Sequence, residues 1–189
     1  MTDFLRALGH DPRLYWIAAL ASLAAWLASA AVPPPAAAGW RSRAQPPAVF
    51  ALLLLAAMFA FRWPGIFHYR PVNPDEAQFL AGALTVLDRG GLWWVDATTS
   101  GPLVVLPLTL PGLVGAPVDF AGGRIVGLLL QWGTVLLAYL ALRHLHGDRS
   151  ARLLVLPLGA FFAFLQFWDF VPYSSESAPL FLCALAVWL

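Results

Sequence analysis

This sequence predicts an all-α fold: a polytopic transmembrane helical bundle with an amphipathic juxtamembrane helix in its first large outer loop. Three observations predict it. The 189 residues are 60% hydrophobic and only 11% charged, whereas soluble domains carry about 25% charged residues. Several apolar runs approach or exceed the roughly 18 residues that cross a bilayer as a helix. The arginines gather in short polar loops between those runs, the habit of cytoplasmic loops in membrane proteins.

The first run spans about Leu14 to Val32 and stops at Pro33-Pro34-Pro35. A cleaved signal ending near Ala28-Ser29-Ala30 is the alternative; the length of the run favours a retained helix. A loop with Arg41 and Arg43 follows, then a second run from about Ala48 to Trp63, with Pro64-Gly65 read as its breaker. A polar stretch, 68–100, leads to a short run, Pro102 to Val114, interrupted by Pro107 and Pro111. That run is too short to span and is expected to be re-entrant or interfacial, packed under the outer loop. Further spans are expected at about Ile125 to Leu142 and Leu153 to Phe170, joined by a loop with Arg143, His144, His146, Arg149 and Arg152.

The last run, Ala178 to Leu189, covers about half the hydrocarbon thickness at roughly 1.5 Å per residue. The chain is therefore expected to be a fragment of a larger membrane protein. Two parts result: an N-terminal transmembrane helix with its cytoplasmic loop over 1–46, and the start of a membrane module over 47–189. The Arg-rich loops 36–46 and 143–152 should be cytoplasmic. Seven of the ten acids, Asp75, Glu76, Asp88, Asp96, Asp119, Asp169 and Glu176, then fall on or near the opposite face. By the same count Met1 is external, which Arg6 and Arg13 oppose.

Composition excludes some chemistry. A net charge of +1 gives no electrostatic footprint for nucleic acid. All eleven basic residues are arginine, which removes Schiff-base lysine chemistry. Cys183 is alone, so no intrachain disulfide forms and a cysteine metal site is not expected. His144 and His146, among arginines, read as a solvated charge cluster.

The outer loop is more informative. Asn73 suits an N-cap, Pro74 the first helical position, and Glu76 stands three residues after the cap. Phe79, Leu80, Ala83, Leu84 and Leu87 recur on one helical face, and Gly90-Gly91 supplies a stop. An amphipathic helix over about 74–89 is expected along the membrane surface, with Trp93 and Trp94 at headgroup level.

Asp75 and Glu76 are adjacent carboxylates at a membrane edge, where ionisable groups are functional suspects. Neighbours on a first turn point to different azimuths, so one can face a site while the other caps or supports it. Ordinary helix capping is the competing reading. Glu176, in Tyr173-Ser174-Ser175-Glu176-Ser177, and Asp169 could join the same patch; here too a cap cluster competes. Arg124 could bind a phosphate by paired hydrogen bonds or snorkel to headgroups. Arg70 and Arg89 are similar.

The order of these features resembles the first half of GT-C-type membrane glycosyltransferases, which include protein O-mannosyltransferases, the lipid A aminoarabinose transferase and oligosaccharyltransferases. The resemblance rests on Asn-Pro-Asp75-Glu76, the helix after it, Gly90-Gly91-Leu-Trp-Trp-Val-Asp96, the run at Pro102-Leu103, Arg124, and Glu176 placed 101 residues after Asp75. It covers about residues 48–189 and implies an inverting transfer of a sugar from a polyprenyl-phosphate-linked donor. The acceptor, a lipid, glycan or protein, would lie on the extracytoplasmic face of a bacterial inner membrane. Asp75 would be the catalytic base, with Glu76 supporting it. Arg124, Glu176 and Arg70 would bind substrate, and Asp75 with Glu176 could hold a divalent cation, Mg2+ or Mn2+. The chain departs from the family pattern in two places: Gly101-Pro102 stands where close relatives carry Pro-Pro, and Glu176 where many carry Asp. A transport or binding protein and a non-catalytic membrane subunit remain the alternatives.

Overall fold

The computed structural model describes residues 12–31, 46–67, 73–90, 101–164 and 173–189, all helix or short connection with no strand among them. Seven helices follow in order: α1 Pro12–Ala31, α2 Pro47–Phe67, α3 Pro74–Arg89, α4 Pro102–Leu113, α5 Phe120–His146, α6 Asp148–Phe164 and α7 Ser177–Trp188. Helices α2 and α5 are long and apolar enough to cross a membrane, and α4 and α7 are shorter apolar helices. With 27 residues, α5 is about 40 Å long.

The central element is α5, which packs against α2, α3, α4, α6 and α7. Its neighbours close around one core of Trp26, Phe50, Leu54, Met58, Leu128, Val135, Tyr139, Val155 and Phe162. Small residues let the helices approach. A Cβ on Gly159 would lie 2.8 Å from the Trp26 ring, and one on Gly133 would lie 2.7 Å from the Phe181 ring. A second core, of Phe79, Leu80, Ala83, Val104, Val105, Leu108, Val126 and Tyr173, joins α3 and α4 to the start of α5.

Contacts sort the helix ends into two groups. Arg152 Nη1 donates to the Ser29 carbonyl at 3.1 Å and the Phe50 and Tyr139 rings meet at 5.1 Å, so these residues share one end. At the other end Tyr15 Oη donates to the Phe61 carbonyl, and Phe61 meets Phe164 at 4.5 Å. Asp75, Glu76, Arg124 and Glu176 all belong to the second end, while Arg143, His144, His146 and Arg149 belong to the first.

Three details differ from the sequence reading. Helix α2 does not break at Pro64-Gly65 but continues to Phe67. One missing N–H costs a single helix bond near a terminus, and the Gly65 carbonyl, orphaned in the last turn, accepts from Arg124 Nη1 at 2.7 Å. Helix α5 begins at Phe120, not Ile125, because Asp119 Oδ1 caps the Gly122 N–H at 2.8 Å. The expected loop 143–152 shrinks to Gly147, at φ 77°, between two helices. Arg152 there is buried: it pairs with Asp148 at 2.8 Å and lies over the Phe50 ring.

Candidate functional site

Helix α3 builds the site's first wall. Asn73 Oδ1 accepts from the Asp75 N–H at 2.9 Å, Pro74 opens the helix, and Gly90, at φ 70°, closes it with its N–H on the Val86 carbonyl. Phe79, Leu80 and Ala83 are buried while Leu84 is half exposed, so the apolar face is narrower than its spacing suggests. The buried stripe lies against α4 and α5. Helix α4, though proline-rich, runs unbroken beneath it.

The two adjacent carboxylates part at once. Glu76 is fully buried. Its Oε1 accepts from Arg124 Nε and its Oε2 from Arg124 Nη2, both at 2.9 Å. This fork-to-fork pair is the strongest ion-pair geometry a protein offers. Arg124 is also buried, and its third bond, to the Gly65 carbonyl, ties in the end of α2. One guanidinium therefore clamps α2, α3 and α5 together. The sequence offered Arg124 to a phosphate or to the headgroups; the structure places it inside the protein instead. Glu76, read as part of a capping box, turns inward to meet it.

Asp75 points the other way and is exposed. It lines a cleft of about 280 Å³ with Asn73, Phe79, Tyr173, Ser174, Ser175 and Glu176. The cleft joins the start of α3 to the turn before α7, so two carboxylates 101 residues apart in sequence share one concavity. Tyr173 holds the second wall. Its hydroxyl donates to the Val104 carbonyl at 2.6 Å and its ring meets Phe79 edge-on at 6.2 Å. Burial pushes that hydroxyl above the usual tyrosine range, so it stays protonated and keeps donating.

Glu176 is exposed at the start of α7. Partial burial pushes its carboxyl up. Hydrogen bonds from the Ser175 hydroxyl, its own backbone N–H and the Ser174 hydroxyl outweigh that and hold it below the ordinary glutamate range. It is therefore charged at neutral pH.

A divalent cation would find two carboxylates in this cleft. Among the described residues no three of His, Cys, Asp and Glu gather to hold a metal. Mg2+ asks for about six oxygens, and Asn73 already spends its oxygen on the Asp75 N–H. That donor set does not by itself fit a resident metal, and no step below passes through one. Arg70, Asp96, Asp169, Trp93 and Trp94 lie outside the described residues. Arg89 closes α3 at the end away from Asp75. Sequence reasoning missed Tyr173 as a wall and Asn73 as a lining residue; the only available signal was their place beside the acids.

Comparison of the chain with family models, with curated proteins and with solved structures returned no match.

Proposed function

We propose that this chain is part of a polytopic inner-membrane glycosyltransferase of GT-C type, with the Asp75–Glu176 cleft on its extracytoplasmic face. The observation that carries the reading is the meeting of these two carboxylates in one cleft at the acidic end of the bundle. Helical caps with no shared role would have no reason to line the same cavity.

Asp75 is the group free to act, because Glu76 is spent on Arg124. As general base it takes a proton from the acceptor hydroxyl. The hydroxyl oxygen then bonds to the anomeric carbon from the face opposite the phosphate. The anomeric C–O bond to phosphate breaks, polyprenyl phosphate leaves, and the configuration inverts. Glu176, charged and fixed by the Ser175 hydroxyl, orients the acceptor. Arg124 acts through Glu76: by fixing the first turn of α3 it fixes where Asp75 points. Arg70 is assigned to the donor phosphate on the resemblance alone.

The direct test supplies the purified full-length protein with a polyprenyl-phosphate-linked sugar and measures release of polyprenyl phosphate in the presence of acceptor lipids, glycans and peptides. Release that depends on acceptor is expected; none with any donor or acceptor class would remove the transferase reading. A solute or ion path is the second reading. It is favoured by Arg62 and Gln131, buried within the two long apolar helices. Uptake of solute by proteoliposomes, lost in Gln131→Leu, would replace the first reading with the second.

A further inference from the structure

The lining of the cleft states what it can hold. Asp75 and Glu176 bring two negative charges, and no basic side chain lines it among the described residues. Arg124, the cation closest in the fold to Asp75's helix turn, is buried and bonded to Glu76 and Gly65. An anionic ligand is therefore repelled, and a neutral polyol leaves both charges uncompensated.

Asn73 adds a second, independent demand. Its side chain is 9% exposed and lines the cleft. Its Oδ1 accepts from the Asp75 N–H, which fixes the amide's orientation and turns Nδ2 away from that bond. Among the described residues Nδ2 has no hydrogen-bond partner. A donor so deeply placed wants an acceptor oxygen from whatever fills the space. A bare metal cation would satisfy the carboxylates and leave this N–H unmet.

We propose that the cleft binds a primary ammonium group carried beside an acceptor oxygen, the pattern shared by an amino sugar and an ethanolamine headgroup. The ammonium has three N–H donors. Asp75 and Glu176 take two, and the serine hydroxyls at 174 and 175 lie along the same lining for the third. The neighbouring oxygen accepts from Asn73 Nδ2. The volume, about 280 Å³, is at the small end of ligand sites. It suits one ring or one headgroup, not an extended chain. The inference rests on the transferase reading only in taking this cleft as the acceptor's place.

The test titrates the full chain, in neutral detergent, with glucosamine and with glucose by calorimetry. Glucosamine should bind about tenfold more tightly or better, since charge-assisted bonds are worth about that factor. Asp75→Asn and Glu176→Gln should each erase the difference. Glu176 is exposed, so its variant keeps the fold even where the other does not. A lipid arm uses nanodiscs and native mass spectrometry. Retention of phosphatidylethanolamine over phosphatidylcholine, which lacks N–H donors, would name a headgroup as the source, and glucosamine preference alone would name a sugar. Equal binding in both arms, or preferences unchanged in the double variant, overturns the inference. A parallel transfer assay separates the two ideas. Amine preference without any sugar transfer sinks the transferase reading and leaves this one standing; transfer with no amine preference sinks this one alone.

Discussion

At the residue scale the Glu76–Arg124 pair matters most. Removing one partner leaves the other charge buried and unpaired, which costs about 3–5 kcal/mol. Glu76→Ala and Arg124→Ala should each lower thermal stability in detergent by that order, and the double variant should cost less than their sum. Equal and additive small losses would show that the pair is exposed in solution. Asn73→Ala should cost about 1 kcal/mol through its cap alone. Glu176 has a folded pKa below its unfolded one, so its small contribution to stability is present above the ordinary glutamate value and is lost as pH falls through the folded pKa. An NMR titration should place its midpoint below the ordinary value, and Ser175→Ala should raise it. The sequence could present Asp75 and Glu76 only as twins. Their opposite fates depend on Arg124, 48 positions after Glu76, which no local pattern announces.

At the element scale, α3 was the most legible part of the chain. Its cap, its first proline and its closing glycine are local signals, and the helix runs from Pro74 to Arg89 as they dictate. Boundaries set by distant partners were not legible. The end of α2 depends on a guanidinium from α5, so Pro64 looked like a stop although it is only a lost bond near the terminus. The hairpin between α5 and α6 reads as a charged loop. Instead Asp148 binds Tyr139, Arg143 and Arg152 and draws the two helices together across Gly147. Helix contacts make a sharper prediction. Gly159→Ala places a Cβ against the Trp26 ring and the Leu54 side chain in the main core, and should cost about 1–3 kcal/mol. Gly133→Ala meets the outer atoms of the Phe181 ring, which is partly exposed and can turn aside, so it should cost less. Thermal unfolding of both variants in one detergent measures the difference.

At the scale of the whole molecule, charge divides between the two ends. Arg143, His144, His146 and Arg149 mark one end, and Asp75, Asp88, Asp119 and Glu176 lie on elements of the other. In a cell membrane this asymmetry sets orientation. With Cys183 replaced by Ser, a membrane-impermeant maleimide should label Asp88→Cys in intact cells and Arg149→Cys only after permeabilisation. Labelling of both from one side would mean that the helices between them do not cross as the bundle implies.

The cleft gives that orientation a purpose, since both free carboxylates face the exterior. The most direct test compares sugar transfer by the full-length protein with that of Asp75→Asn and Asp88→Asn at equal expression and insertion. The account predicts a loss of about 10²–10⁴-fold for Asp75→Asn, the range of general-base catalysis, and no loss for Asp88→Asn, which lies near the far end of the same helix. Transfer at the wild-type rate in Asp75→Asn would contradict it.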